Sequence, residues 1–157
     1  MKIWKLLLLG VLAVFLKALV AMVPPIAPFA DPLLVVSVFG ALGGKRWPAL
    51  LTGLVCGLLD DALFGQWLGL HAFSQMTIAF ALSFAAAKVD MLYALPAMLA
   101  MLAAALADWA IQLSLALLFN RSAGAIPGPL VWLAAVAINT ALGLLFFKLA
   151  ARRGSLS

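Results

Sequence analysis

The chain has 157 residues, of which 68% are hydrophobic and only 10% charged, whereas soluble domains have about 45–50% apolar and about 25% charged residues. One aqueous core cannot bury so much apolar side chain, so the composition predicts an integral membrane protein with a single transmembrane domain. The net charge of +5 does not indicate a nucleic-acid partner, because the cations lie at the ends of apolar segments and not along one face.

Few residues are suited to catalysis or to metal binding. The chain has one histidine and one cysteine, and all of its acidic residues are aspartates, so neither a disulfide framework nor a metal cluster is expected. Cys56 lies in an apolar run and is interpreted as a small core residue. Asp61 and Asp108 can in principle meet as a carboxyl pair, but no catalytic motif accompanies them. We expect no enzymatic activity, no metal and no cofactor.

Six apolar segments follow one another along the chain and are interpreted as transmembrane helices. The first resembles a secretory signal, but its apolar run is long, Lys17 interrupts it and Pro24-Pro25 follows, so we expect it to stay attached. The approximate spans are 3–23, 33–43, 47–64, 70–87, 92–119 and 130–150.

The third segment is short. From Trp47 to Leu59 a helix would rise only about 20 Å at 1.5 Å per residue, against a hydrocarbon core of about 30 Å. Extending it to Phe64 restores the length but brings Asp60 and Asp61 into the outer half of the bilayer. Either the helix ends before the aspartates or partners hold them. A combination is favoured, in which a short third helix packs among its neighbours and the acidic pair lies in a sheltered turn of the outer half.

The basic residues predict an orientation with both termini in the cytoplasm. Six alternating spans leave Arg121 on the outer face and Lys17 within a span, and they place the other eight cations inside, in accordance with the positive-inside rule. These eight cations are Lys2, Lys5, Lys45, Arg46, Lys88, Lys148, Arg152 and Arg153.

A polar cluster is predicted in the outer half of the membrane. At 3.6 residues per turn, Gly53, Gly57 and Asp60 share one stripe, which lets another helix approach closely. Asp61 is about 80° from Gly53 on the same wheel, so Asp60 is expected to be the buried member and Asp61 to lie at the margin. His71 shares a helical face with Ser74 and Gln75. We expect Lys17, one of the two aspartates and His71 to converge.

A second polar position is expected near the membrane midplane. Asp108 in the fifth segment and Asn139 in the sixth reach similar depths, which predicts a hydrogen bond between them. Gln112 shares the helical face of Asp108, four residues away. These side chains are expected to join helices, and a proton or ion relay is the alternative.

The passage between the third and fourth segments contains the motif Gly57-x3-Asp61-x3-Gly65-x3-Gly69-Leu70-His71-Ala72. This motif resembles the signature of the rod shape-determining protein MreD family. Further points of similarity are Asp31-Pro32-Leu33-Leu34 opening the second segment, the basic turn at Lys45-Arg46, and the polar positions Asp108 and Asn139.

This resemblance implies a non-enzymatic scaffold subunit of the cell-elongation machinery in the bacterial inner membrane. Its implied partners are the protein MreC and, in a larger assembly, the glycosyltransferase RodA, its transpeptidase and MreB filaments. The resemblance also implies a fold similar to the substrate-binding subunits of energy-coupling-factor transporters, and hence an alternative function: binding a small, vitamin-type molecule for a transporter. The small residues along the helices also permit a homodimer.

Overall fold

The computed structural model describes residues 3–22, 30–64, 68–89, 93–119 and 129–152. These ranges contain six α-helices and no strand, which confirms the expected all-α fold. The helices are α1 (Ile3–Ala21), α2 (Pro32–Ala41), α3 (Arg46–Leu63), α4 (Leu70–Ala86), α5 (Ala94–Leu118) and α6 (Pro129–Arg152).

Two of the described helices are long and apolar enough to cross a membrane by length and composition. They contain the spans Leu95–Leu115 and Leu130–Lys148. Gly10–Ala21, Pro32–Ala41 and Leu70–Ala86 are shorter apolar helical stretches. Length and hydropathy therefore mark α5 and α6 as candidate spans.

Helix α2 is the centre of the structure. It has only 10 residues, nine of them are buried, and it packs against each of the other five helices. A helix that is apolar on all sides is expected to be buried on all sides. Pro32 occupies its first turn, where the missing N–H is not needed, and the carboxylate of Asp31 accepts hydrogen bonds from the backbone N–H groups of Leu33 and Leu34.

Helices α3 and α4 pack closely because glycines line their contact. A Cβ built on Gly53 would lie 2.5 Å from the carbonyl oxygen of Gln75, and one on Gly57 would lie 2.5 Å from that of His71. Both neighbours are backbone atoms, which cannot rotate away. The predicted glycine stripe is therefore the surface on which α4 rests, and α3 has 18 residues, so that Asp60 and Asp61 lie in its last turn.

The apolar core lies around α2, α5 and α6. Val38 of α2, Met101 of α5 and Phe147 of α6 are each less than 10% exposed and belong to one cluster. Gly143 of α6 lies against the side chain of Met101, since a Cβ added there would be 2.5 Å from Met101 Cγ. This packing fixes α5 and α6 relative to α2 and thereby positions Asp108 and Asn139.

Candidate functional site

Lys17 connects three helices through two carboxylates. Its ammonium lies 3.1 Å from Asp31 Oδ1, at the start of α2, and also donates to Asp60 Oδ1, in the last turn of α3. The side chains of Lys17 and Asp31 are each 15% exposed and that of Asp60 only 1%. Of the two alternatives for the third segment, the longer helix is present and a cation holds its buried aspartate.

Gln75 bridges the same two carboxylates on their other oxygens. Its Nε2 lies 3.2 Å from Asp31 Oδ2 and 3.4 Å from Asp60 Oδ2. The backbone N–H of Asp31 donates to Asn139 Oδ1 of α6 at 2.7 Å. We call Lys17, Asp31, Asp60, Gln75 and Asn139 the polar cluster. It draws side chains from five elements, and a buried charge that loses its partner in such a setting costs about 3–5 kcal/mol.

Asp61 caps the start of α4. Its carboxylate accepts hydrogen bonds from the backbone N–H groups of Gly69 (2.8 Å), His71 (3.0 Å) and Ala72 (3.1 Å). His71 Nδ1 lies 2.8 Å from Asp61 Oδ1. The first N–H groups of a helix have no intrahelical partner, and a carboxylate there also interacts favourably with the helix dipole.

The residue before α4 cannot provide this cap itself. Gly69 has no side chain, and its φ of +101° is a backbone conformation that favours glycine. Asp61 supplies the acceptor from the preceding helix instead. We call Asp61, Gly69, His71 and Ala72 the α4 cap; it closes the corner between α3 and α4.

Asp108 was expected to join α5 to α6, but it joins α5 to α4 instead. The Ser74 hydroxyl donates to Asp108 Oδ1, and Gln112 Nε2 donates to Oδ2 at 2.8 Å. The predicted Asp108–Asn139 hydrogen bond is wrong in this structure. Asn139 bonds instead to the backbone N–H of Asp31, which as a helix-start group lacks an intrahelical acceptor, and Ser74 of the facing helix takes the carboxylate.

The sequence-predicted cluster forms as two adjacent arrangements. Lys17 binds Asp60 in the polar cluster, whereas His71 binds Asp61 in the α4 cap. Asp61 does not lie at a margin: it is 3% exposed, because the start of α4 surrounds its carboxylate. Gly65 of the motif lies outside the described residues.

The sequence reasoning missed Asp31 as a member of the cluster. An aspartate directly before a proline and an apolar helix is a sequence pattern of a helix N-cap. That pattern could have identified a carboxylate at the start of α2, but not the cation it meets.

The described contacts of the site join helices to one another. In the described ranges no group of three or more histidine, cysteine or acidic side chains is placed to hold a metal ion. A small cavity beside α2 is apolar, with Val38, Met101 and Phe147 among its lining residues. Gln75 Oε1 is the one buried side-chain oxygen or nitrogen of the described residues without a hydrogen-bond partner.

The family comparison agrees with the motif on which this site is built. The model of the family described as rod shape-determining protein MreD matches residues 2–153. The chain belongs to the MreD family. Membership of this membrane-protein family implies a role in determining rod shape. No curated protein and no solved structure shows significant similarity to the chain.

Proposed function

We propose that this chain is a non-enzymatic scaffold subunit of the cell-elongation machinery, a multi-pass protein of the bacterial inner membrane. The observation that supports a scaffold is that the polar side chains of the site bond helices of the same chain to one another. The α4 cap and the polar cluster hold α1, α2, α3, α4 and α6 against one another. Among the described residues, the three buried carboxylates and the partly buried carboxylate of Asp31 are each bonded to another part of the same chain.

The proposal includes six spans with both termini in the cytoplasm. Helix α2 would be only about 15 Å long at 1.5 Å per residue, and its burial among the five other helices supports a membrane position despite this length. Eight of the ten cations in the sequence would lie on the cytoplasmic side, which supports the orientation. Reporter fusions after residues 44 and 66 test this orientation. The first reporter should lie in the cytoplasm and the second outside the cell membrane.

The proposed partner is MreC, in an assembly with RodA, its transpeptidase and MreB filaments, through which the chain would support peptidoglycan synthesis. Family membership supports this part of the proposal. The outward face of α1 supplies apolar surface, since Val11 is 69% and Phe15 62% exposed. A transmembrane partner or lipid can cover such a surface equally well.

Depletion and complementation test the function. Cells of the source bacterium depleted of this protein should become round, and the wild-type gene should restore rods together with co-purification of MreC. Asp61→Ala, which removes the acceptor for four contacts of the α4 cap, should fail to restore them. Thr77→Ala is the control, because Thr77 bonds only within its own helix in the described structure.

The same experiment separates the alternative of a vitamin-binding transporter subunit. If depleted cells stay rod-shaped and instead require a micronutrient, the scaffold proposal is wrong. A bound small molecule that purifies with the protein would support the transporter function independently.

A further inference from the structure

The end of the molecule opposite the α4 cap brings together cations from two connections that are distant in sequence. Gly44, in the turn between α2 and α3, has a φ of +66°, and a Cβ added there would lie 3.3 Å from Ala87 Cα at the end of α4. Lys45 and Arg46 follow this turn, and Lys88 follows Ala87. All three cationic residues are exposed.

Aromatic side chains extend from these cations along the outer face of α4. The Arg46 guanidinium lies over the Phe84 ring, 4.4 Å from its centroid, which holds it in place by a cation–π contact. Phe84 packs edge-to-face on Phe80 at 5.0 Å, and both rings are more than a third exposed. Trp47, next to Arg46, is 75% exposed, and tryptophan favours the interface between headgroups and hydrocarbon.

We propose that this surface binds the headgroup of an anionic phospholipid. The phosphate diester would lie among Lys45, Arg46 and Lys88, and an acyl chain would follow Phe84 and Phe80 toward the bilayer centre. Basic pockets between helices on the cytoplasmic side are suited to such headgroups, and the charge and the aromatic strip match the two ends of one lipid. The inference rests on the proposed membrane orientation but not on the scaffold role, because this surface lies apart from the polar cluster.

Native mass spectrometry of the full chain tests the inference. The protein is extracted from bilayers of equal parts phosphatidylglycerol and phosphatidylcholine, and the lipid retained on each molecule is counted. We expect retained phosphatidylglycerol to exceed phosphatidylcholine. The double variant Lys45→Gln and Lys88→Gln should reduce phosphatidylglycerol retention by at least about fivefold, since one basic residue near an anionic surface contributes about that factor, and phosphatidylcholine should be unaffected.

A matched double variant distinguishes a defined site from general attraction. Lys148→Gln with Arg152→Gln also removes two positive charges, but near the C-terminal end of α6, a helix that packs against α5 and α2. It should change retention by less than about twofold. Phe84→Leu keeps all charges, removes the ring under Arg46 and should lower retention.

Two results would overturn the inference. Equal losses in the two double variants would mean unspecific attraction to a basic membrane face, and no loss in either would mean that the surface binds no lipid. Because Lys45, Lys88 and Lys148 are exposed, we expect both double variants to unfold at the temperature of the wild type, and this measurement checks that lost retention is not lost folding.

Discussion

Replacing Gly57 by alanine tests whether the close contact of α3 and α4 positions the α4 cap. The new methyl group would start 2.5 Å from the His71 carbonyl oxygen and 2.6 Å from Ala72 N. Reaching the 3.4 Å of ordinary van der Waals contact requires the helices to part by about 0.9 Å. Since both neighbours are backbone atoms, no rotamer change of α4 can relieve the contact.

This displacement is enough to break the cap. If the helices part along that line, the distance from Asp61 Oδ1 to His71 N grows from 3.0 Å to about 3.9 Å, beyond the 2.7–3.2 Å of an N–H···O hydrogen bond. A hydrogen bond to a charged group contributes about 1.5–3 kcal/mol, and overpacking itself costs about 1–3 kcal/mol. We therefore expect Gly57→Ala to lower the free energy of unfolding by about 3 kcal/mol or more.

The assay is reversible unfolding of the detergent-solubilised protein by sodium dodecyl sulfate, followed by circular dichroism. Gly10→Ala is the matched control, because Gly10 lies inside α1 and a Cβ there meets no atom of the described part of the chain within 4 Å. Alanine is favoured over glycine in a helix interior by about 1 kcal/mol, so the control should be unchanged or more stable. A free energy for Gly57→Ala within about 0.5 kcal/mol of the wild type, the range of neutral surface changes, would refute the reasoning.

Three further predictions use the same unfolding assay. Lys17→Met should lower the free energy of unfolding by about 3–5 kcal/mol, because it leaves Asp31 and Asp60 without their cation. Adding Asp60→Asn should recover part of the loss. A double variant less stable than Lys17→Met alone would contradict the pairing of Lys17 with Asp60. Ser74→Ala should lower the free energy of unfolding by about 1–3 kcal/mol, since it removes the hydroxyl that donates to buried Asp108. The control Thr77→Ala, whose hydroxyl donates to Phe73 O of its own helix, should lower it by less than about 0.5 kcal/mol. Gly69→Ala should destabilise the start of α4 by about 1–2 kcal/mol, because alanine is strained at a φ of +101°; an equally stable variant would mean that the turn can change its conformation.

Local sequence patterns were sufficient to predict the all-α fold and the glycine stripe on α3. Long apolar runs separated by proline, glycine and basic residues predict helices whatever their packing. The spacing of Gly53, Gly57 and Asp60 places them on one face through helix geometry alone. The structure puts both glycines against the backbone of α4, as a stripe of small residues favours.

The partners of the buried charges could not be predicted in the same way. Which acceptor Asn139 or Ser74 meets depends on how α4, α5 and α6 rotate around α2, and no spacing within one helix records that rotation. Asp61 shows the same limit. The helical wheel placed it at a margin, yet α4 packs against α3 and surrounds the carboxylate with its first N–H groups. Its role follows from a contact between two helices, which the wheel of one helix does not contain.

Helix α3 links the α4 cap to the lipid surface, the proposed phospholipid site around Lys45, Arg46 and Lys88. Arg46 is its first residue and Asp61 lies in its last turn, 15 residues later, so the two are about 22 Å apart along the helix axis at 1.5 Å per residue. Because lipid is as apolar as leucine, the hydrophobic effect does not hold such helices together, and close packing and polar contacts must do so. Gly53 and Gly57 provide the packing and the α4 cap the polar contacts. A change at Gly57 should therefore alter cell shape even with the lipid surface intact, whereas Lys45→Gln with Lys88→Gln should alter lipid retention with the cap intact. Loss of rod shape in both variants would indicate that the lipid surface also contributes to the scaffold.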